Sequence, residues 1–199
     1  FALVIGAETY SRILDYTDRS SCMLFGDGAG AMVLGAVPPS RGIMASYIGA
    51  DASGSDVIQM RNSSASIPVK REAMAHRKYF RLDGERFWHM VEIKFPEVLQ
   101  YLCCQAGLEL QDIDMIIASQ ANKALIELGM TSIGLPMDRT FVNIEKYANT
   151  SAASVPIAFA EAVRLGRIRR NSTVALVAFG GGATWGGALV RMGDPGLSG

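Results

Sequence analysis

A run of three glycines near the carboxy-terminal end is the stretch of this sequence best suited to chemistry. The run lies in Phe179-Gly180-Gly181-Gly182-Ala183, between the apolar segments VALVA and TWGGALVRM. Glycines of this kind occur where the backbone passes close to another group or needs a positive φ angle. Two bare N–H groups beside a reacting carbonyl would be one such use, because they could stabilise a developing oxyanion. A tight hairpin without a ligand is the simpler interpretation when the glycines are considered alone.

A second glycine-rich segment, CMLFGDGAGAMVL at residues 22–34, is similar to the first. When Phe25 is aligned with Phe179, both contain an apolar strand, the pattern Phe-Gly-x-Gly-Ala and a second strand rich in small residues. An internal repeat at long spacing indicates a fold built from two similar halves. We therefore expect the end of one half in residues 1–38, a complete second half in residues 39–192 and a flexible tail in residues 193–199.

The thiols and imidazoles of the chain form no metal-binding or nucleophilic pattern. Cys22, Cys103 and Cys104 are too few and too apolar in setting for a disulfide framework or a metal site, so we expect all three to be core residues in a reducing compartment. His76 lies in a basic run that we expect to be exposed, and His89 lies on a predicted helix. The sequence therefore predicts no metal and no disulfide.

The composition is that of an apolar globular protein with balanced charge. Of the 199 residues, 49% are hydrophobic and 19% are charged, and 19 basic residues balance 19 acidic residues. This balance gives no reason to expect nucleic acid or an anionic membrane as a partner. No apolar run reaches the roughly 18–20 residues that span a bilayer, and no signal peptide is recognisable. We therefore predict a cytoplasmic protein.

Hydrophobic spacing and turn residues predict an α/β architecture in which helices cover a mixed sheet. The predicted strands are residues 2–6, 22–25, 31–36, 43–50, 115–118 and two strands within 174–192. The predicted helices are residues 85–106, residues 123–128 and a helix that Asn149 or Thr150 caps and that ends near Leu165, before Gly166.

Several residues interrupt or end these elements. Pro38 and the proline after it mark the clearest boundary of the chain, and residues 51–67 form a long polar loop of a kind that is often functional or mobile. Pro96 lies within the long helix and predicts either a kink or two abutting helices, while Gly107 fits the end of that helix.

Three stretches of the chain carry a resemblance to a known family. They are DRSSCMLFGDGAGAMVL, YANTSAASVPIAFAEAVRLGRI and VALVAFGGGATWGGALVRM. Together they resemble the β-ketoacyl-acyl-carrier-protein synthase III family, and the resemblance extends over essentially the whole chain. It implies a thiolase-like layered fold, with helices on a mixed sheet of the five-stranded type and with one half of the duplicated fold complete.

The resemblance implies a Claisen condensation. In this family a cysteine takes an acyl group from coenzyme A, and a malonyl-carrier thioester then loses carbon dioxide and attacks that group. The family's nucleophilic cysteine lies in the amino-terminal half, and no residue of this chain matches it, since Cys22 lies in a predicted strand. The implied partners are acyl-coenzyme A, acyl carrier protein and either a second copy or the missing amino-terminal half. No cofactor is implied.

The resemblance also assigns three positions to catalysis. Asn149 matches an asparagine whose amide donates a hydrogen bond to the thioester oxygen as enolate charge develops, although a helix N-cap is another role for such a residue. Gly181 would supply an N–H group to the oxyanion hole. Ser119 opens the motif Ser-Gln-Ala-Asn where the family has histidine. Because a serine hydroxyl donates a single hydrogen bond and does not titrate near neutral pH, we expect weak decarboxylative condensation.

A further set of positions is implied to bind the thioester. The residues are Arg19, Phe25, Gly84, Trp88, Asn122, Leu125 and Phe179. Arg19 would contact coenzyme A, and the others would wall the site or line the pantetheine tunnel and the acyl pocket, although core packing accounts for Phe25, Trp88 and Leu125 equally well. Trp88 replaces a usual phenylalanine, which predicts a narrower passage. Lys123 and the alanine after it replace an arginine that often follows the motif, which weakens the case for an ordinary carrier-protein docking site.

Two functions remain open at this level. The first is part of a synthase III-like acyltransferase of fatty-acid or polyketide biosynthesis, in which acyl transfer survives better than condensation. The second is a non-catalytic subunit that stabilises or gates an active homologue. A third interpretation takes Ser119 as an engineered substitution that traps a bound substrate. An acylatable cysteine upstream would favour the first function, and its replacement would favour the second.

Overall fold

The computed structural model describes residues 1–60 and 79–193. The strands are β1 (Ala2–Glu8), β2 (Gly28–Leu34), β3 (Gly42–Ala50), β4 (Ile58–Gln59), β5 (Arg81–Leu82), β6 (Met115–Ala118), β7 (Thr173–Gly180) and β8 (Thr184–Arg191). The α-helices are α1 (Gly84–Ala106), α2 (Lys123–Ser132), α3 (Ile144–Tyr147) and α4 (Ser154–Arg164). No helix within this part of the chain has both the length and the apolar character needed to cross a membrane.

A mixed sheet in the order β3–β8–β7–β6 lies between two helical layers. β6 and β7 run parallel, whereas β8 is antiparallel to both of its neighbours. β6 and β7 are almost continuously apolar because both faces of the sheet are covered. Ile116 and Val177 pack with α1 and α2 on one face, and Ile117 and Val174 pack with α4 on the other. The predicted layered α/β fold is confirmed, but the sheet has four strands in the described residues rather than five.

β1 and β2 form a separate antiparallel pair instead of joining the central sheet. This pair packs against the start of α4 and the segment that leads into it, where a Cβ at Gly6 would collide with the carbonyl oxygen of Ala152 and a Cβ at Gly30 would lie 3.0 Å from Pro156. The close backbone approach explains why small residues dominate this part of the sequence.

Residues 22–25 are predicted as a strand, but residues 22–24 form a turn and Phe25 makes only an isolated bridge. The carboxylate of Asp18 accepts hydrogen bonds from the N–H and hydroxyl of Ser20 and from the hydroxyl of Ser21, and the Cys22 N–H donates to the Asp18 carbonyl. Local hydrogen bonds of this kind compete with a sheet ladder. The first copy of the sequence repeat is therefore not a hairpin, whereas β7 and β8 form the predicted hairpin in the second copy.

α1 is a single helix of 23 residues that continues through Pro96, so the alternative of two abutting helices is wrong. It ends at Gly107, which has a φ of 65° as predicted for this position. The N–H groups of Gly107 and Leu108 donate to the carbonyls of the last helical turn, which satisfies groups that a helix end otherwise leaves free.

α4 begins at Ser154 and not directly after Asn149 or Thr150. A short 3-10 helix at Ser151–Ala153 precedes α4, and the φ of 50° at Ser151 lies outside the α-helical region, so α4 does not extend back to Asn149. The predicted end of the helix is confirmed, since Gly166 has a φ of 69° and follows the last turn.

The cysteines occupy three different environments. Cys103 is buried, Cys22 is half-buried and Cys104 is exposed. Consecutive positions of a helix point about 100° apart, so Cys104 faces solvent where Cys103 faces the core. The prediction that all three are core residues is therefore wrong for Cys104.

The predicted polar loop begins with local structure. It contains a short 3-10 helix at Ala52–Gly54 and the strand β4. Residues 61–67 of the loop, His76 and residues 194–199 of the predicted tail lie outside the described residues.

Candidate active site

A cavity of about 130 Å³ opens where β6, the β7–β8 turn, the first turns of α1 and α2, and the segment after α3 meet. Nine of the ten residues predicted from the sequence line it, namely Phe25, Gly84, Trp88, Ser119, Asn122, Leu125, Asn149, Phe179 and Gly181. Arg19 is the exception, because its exposed side chain points to the sulfur of Met23 instead. Residues from distant parts of the sequence therefore converge on one site.

Asn149 is held by its backbone and by its side chain. Its N–H donates to the Leu24 carbonyl at 2.9 Å, and its carbonyl accepts from the Gly26 N–H at 3.0 Å. Its side-chain oxygen accepts from the Ser151 N–H at 2.8 Å, which fixes the orientation of the amide. Within the described residues the Nδ2 group has no hydrogen-bond partner, so it can donate to a ligand in the cavity.

Ser119 lies directly after β6, where its N–H donates to the Val177 carbonyl at 2.8 Å. Its hydroxyl oxygen is 3.5 Å from that of Ser154. The Ser154 hydroxyl donates to the Ser151 carbonyl at 2.7 Å and accepts from the Gln120 N–H at 3.3 Å. Because the single proton of Ser154 is already engaged, Ser119 keeps its own proton for donation, either to Ser154 or to a ligand.

Gln120 anchors this segment, a role that the sequence did not indicate. Its fully buried side chain donates to the carbonyls of Ala118 and Phe141 at 2.9 and 3.2 Å, and it accepts from the Asn143 N–H at 3.0 Å. These three bonds tie the end of β6 to the loop before α3. The position of Ser119 therefore depends on a buried polar network.

Asn122 both lines the cavity and caps a helix. Its side-chain oxygen accepts from the Ala124 N–H at 2.9 Å, which is an N-cap interaction at the start of α2. Lys123, the next residue, pairs with Glu145 at 2.9 Å, and this partner raises the pKa of Lys123. The charge of Lys123 is therefore balanced locally.

The glycine run serves as both a hairpin turn and a cavity wall. Gly181 is exposed to the cavity, and its carbonyl accepts from the Thr184 hydroxyl at 2.9 Å. Gly182 has a φ of 139°, a conformation that favours glycine. The two interpretations of the run in the sequence are thus compatible.

An aromatic cluster closes one side of the cavity, and two of its members were not predicted. The rings of Tyr10 and Phe25 stack with centroids 4.7 Å apart, and Phe80 packs edge-on against both at 5.2 and 4.8 Å. Burial raises the pKa of Tyr10, a nearby hydrogen bond to Ser151 opposes this, and the charge of Glu8 adds to it. The phenol is therefore neutral at neutral pH. No spacing pattern could reveal this cluster, because its members lie far apart in the sequence.

The described residues offer no obvious metal site. In residues 1–60 and 79–193, no group of three or more histidine, cysteine, aspartate or glutamate side chains could hold a metal ion. His89 is exposed and lies 3.4 Å from Glu92, and it does not line the cavity of Asn149 and Ser119.

Two family models match separate parts of this chain, and known proteins match nearly its whole length. The model "3-Oxoacyl-[acyl-carrier-protein (ACP)] synthase III C terminal" matches residues 103–192, and "3-Oxoacyl-[acyl-carrier-protein (ACP)] synthase III" matches residues 1–52. A β-ketoacyl-[acyl-carrier-protein] synthase III of Syntrophomonas wolfei is 39% identical over 192 residues, which are 96% of this chain and 58% of the relative.

Two solved structures have the same fold. The 3-oxoacyl-[acyl-carrier-protein] synthase III of Aquifex aeolicus VF5 matches with a TM-score of 0.86 and 35% identity, over 96% of this chain and 57% of that one. The priming β-ketosynthase from the R1128 polyketide biosynthetic pathway matches with a TM-score of 0.86 and 30% identity, over 97% and 57%. The chain spans less than two thirds of the length of these relatives. Its two family-model matches and its thiolase-like layers make it a member of the β-ketoacyl-acyl-carrier-protein synthase III family.

Proposed function

We propose that this chain is part of a synthase III-type acyltransferase in which acyl transfer is retained and decarboxylative condensation is weakened. The observation that carries the proposal is that Ser119 lies in one cavity with Asn149 and Gly181, at the position where the family pattern has histidine. The substrates are acyl-coenzyme A and acyl-carrier-protein thioesters, without a cofactor. The setting is cytoplasmic fatty-acid or polyketide biosynthesis.

The first half-reaction transfers the acyl group to a cysteine that lies outside this chain. The thiolate attacks the thioester carbonyl, the carbon–sulfur bond to coenzyme A breaks, and coenzyme A leaves as its thiolate, which takes up a proton from solvent. The backbone N–H of Gly181 would stabilise the intermediate oxyanion together with the N–H of the cysteine. Neither Ser119 nor Asn149 takes part in this step of the proposed mechanism, so the substitution of serine for histidine at position 119 does not limit acylation.

In the second half-reaction, negative charge develops on the malonyl thioester. A malonyl thioester loses carbon dioxide, and the electron pair of the broken bond forms an enolate. The enolate carbon attacks the acyl carbonyl, so that a carbon–carbon bond forms and the cysteine leaves as its thiolate. The free Nδ2 group of Asn149 supports a role as donor to the enolate oxygen. Ser119 can add one donor of lower strength than an imidazole, and losing a preorganised donor costs about 100- to 1,000-fold in rate.

A non-catalytic partner subunit is the second candidate, and the serine at position 119 favours it too. A pairing surface is supported by apolar side chains on the β1–β2 layer, since Leu3, Ile5 and Val33 are 61%, 62% and 70% exposed. Exposed apolar patches of this kind mark surfaces that another polypeptide covers. A second copy of the chain or the remainder of a longer protein would fit this surface equally well.

Intact mass spectrometry of the protein as its gene encodes it separates the two candidates. The protein is incubated with a series of acyl-coenzyme A thioesters and then denatured. We expect a mass increase of a single acyl group on the polypeptide that contains this chain or on one that co-purifies with it. Absence of any adduct with every thioester would contradict acyl transfer and support the partner subunit.

A further inference from the structure

We propose that Gly26 is a positioning residue for Asn149, an inference that rests on the proposed role of Asn149 as a donor to the enolate. Gly26 does not line the cavity, and it touches no reacting atom. Because Gly26 has no side chain, the backbone of residues 24–26 can come close enough to form hydrogen bonds with the backbone of Asn149. The lack of a side chain at this position is what sets the place of the Asn149 amide.

Two hydrogen bonds between the backbone of Asn149 and the backbone of residues 24–26 form what we call the backbone clamp. Asn149 is bonded on both sides to the segment of residues 24–26, through its N–H to Leu24 and through its carbonyl to the Gly26 N–H, at 2.9 and 3.0 Å. These two bonds form an isolated parallel bridge between Phe25 and Asn149, which lies outside all of the strands. The clamp therefore joins the layer of β1 and β2 directly to the proposed donor.

The second observation is the space at Gly26. A Cβ at this position would lie 2.5 Å from the carbonyl oxygen of Tyr147 and 3.3 Å from the Cβ of Ala148. The nearest atom is backbone, which cannot rotate away as the end of a long side chain can. Any side chain at position 26 must therefore push the Tyr147 peptide away, two residues before Asn149.

The third observation is that the turn around Asn149 is strained. Ala148 has φ 59° and ψ −166°, and Ser151 has a φ of 50°. Conformations of this kind cost about 1–3 kcal/mol in residues other than glycine and persist only where the surroundings hold them. The hydroxyl of Thr150 is also buried without a partner among the described residues. When the clamp loosens, the turn can relax, and the Asn149 amide moves with it.

The expected consequence is specific to one half-reaction. A donor acts on an oxyanion only from about 2.7–3.1 Å, and a misplacement of about 1 Å can cost about 100-fold in rate. Condensation and malonyl decarboxylation depend on Asn149 in the proposed mechanism, whereas acylation of the cysteine does not. A change at Gly26 should therefore separate the two rates.

The test compares Gly26→Ala with Gly30→Ala in the full-length protein. Gly30 packs in the same layer, where a Cβ would lie 3.0 Å from Pro156 and 3.1 Å from the Ile157 N–H, away from Asn149. Acylation is followed by intact mass, and decarboxylation is followed with malonyl-coenzyme A. We expect Gly26→Ala to lower decarboxylation by about tenfold or more and to leave acylation within about twofold, while Gly30→Ala leaves the ratio of the two rates unchanged.

A double-mutant cycle with Asn149→Ala shows whether Gly26 acts through Asn149. We expect Gly26→Ala to have no further effect on decarboxylation when Asn149 is already alanine, because the misplaced group is then absent. Effects that multiply would overturn the inference, and so would a parallel loss of acylation and decarboxylation in Gly26→Ala alone. A wild-type protein with neither activity would overturn the proposed function and this inference together.

A second variant covers the case in which Gly26→Ala does not fold. Ala148→Gly relieves the strained alanine and restores stability, but it leaves the collision with the Tyr147 carbonyl in place. The pair Gly26→Ala/Ala148→Gly is compared with Ala148→Gly alone, and the expected separation of decarboxylation from acylation is the same. Equal rates in these two proteins would overturn the inference.

Discussion

Asn149 and Ser119 line the same cavity, but the Asn149 amide is more strongly preorganised as a hydrogen-bond donor than the Ser119 hydroxyl. The Asn149 amide is fixed by the Ser151 N–H, so that its Nδ2 group is oriented before a ligand arrives. Among the described residues, the Ser119 hydroxyl makes a single long contact of 3.5 Å, with the Ser154 hydroxyl, so its proton is less firmly oriented. Electrostatic stabilisation of a transition state depends on donors that need no reorganisation. We therefore expect Asn149 to stabilise the enolate of the proposed second half-reaction more than Ser119 does.

Substitution of Asn149 should remove the second half-reaction and spare the first. We expect Asn149→Ala to lower malonyl decarboxylation by about 100-fold, because one preorganised donor is lost. Asn149→Asp is the matched variant, since its carboxylate can still accept from the Ser151 N–H but cannot donate. Rates are measured with malonyl-coenzyme A and compared with acylation by intact mass. Near wild-type decarboxylation in Asn149→Asp would contradict the donor role.

At the residue scale, the sequence pointed to residues that line the cavity where they lie in a motif, and it missed lining residues that lie outside any motif. The Asn149 and Ser119 positions came from short segments whose residue types are constrained by the reaction. Gln120 was seen as part of a motif, but its burial and its bonds to Asn143 and Phe141 depend on a loop 21 residues away. Tyr10 lies in a polar stretch that showed no apolar spacing, so its place beside Phe25 could not be inferred.

The turn between α3 and α4 is the element that presents the candidate donor. Sequence reasoning extended α4 back to Asn149, because asparagine and threonine are good N-cap residues. The positive φ of Ser151 prevents this, and the segment instead passes through the clamp with residues 24–26. A contact between distant segments thus overrode a local preference. The predicted strand at residues 22–25 was lost for a different reason, since local hydrogen bonds of residues 20–22 to Asp18 form a turn there.

The strain in this turn predicts an unusual response to glycine. Ala148→Gly should raise the free energy of unfolding by about 1 kcal/mol, because the relief of a left-handed alanine exceeds the entropy cost of glycine. Ala152→Gly is the matched control within the same segment, and it should destabilise by about 0.5–1 kcal/mol since its φ is not positive. Urea unfolding midpoints measure both effects. A lower midpoint for Ala148→Gly would contradict the strain.

At the scale of the whole molecule, the carboxylate of Glu161 connects α4 to the segment that contains Ser119. Glu161 on α4 accepts from the Asn143 amide at 2.9 Å and pairs with Lys146 at 2.8 Å. Asn143 in turn donates its N–H to Gln120, beside Ser119. The helix α4 is therefore linked to the end of β6 by polar contacts as well as by the apolar core that it shares with the sheet. This long-range link, like the separation of the β1–β2 pair from the central sheet, follows from packing that no local pattern in the sequence encodes.

The link through Glu161 makes stability depend on pH. Hydrogen bonds from Lys146 and Asn143 lower the pKa of Glu161 below its usual value of 4.5. A lowered pKa in the folded state contributes stability that is present above the unfolded pKa and is lost as pH falls through the folded pKa. We expect Glu161→Gln to be less stable than wild type near pH 7 and the difference to shrink as the pH falls below about 4.5. Urea unfolding over this range measures it, with the exposed Glu145→Gln as the control. A difference that grows in acid would contradict this role.

We propose that this protein keeps acyl transfer but condenses slowly, because Ser119 stands where the family pattern has histidine. The most direct test is a single-turnover experiment on the full-length protein, in which the acyl-enzyme is formed, malonyl thioester is added, and loss of the acyl mass is followed in wild type and in Ser119→His. We predict that the wild-type acyl-enzyme persists and that Ser119→His discharges it about 100-fold faster. Equal discharge by the two proteins would contradict the account, and failure to form any acyl-enzyme would contradict it at its first step.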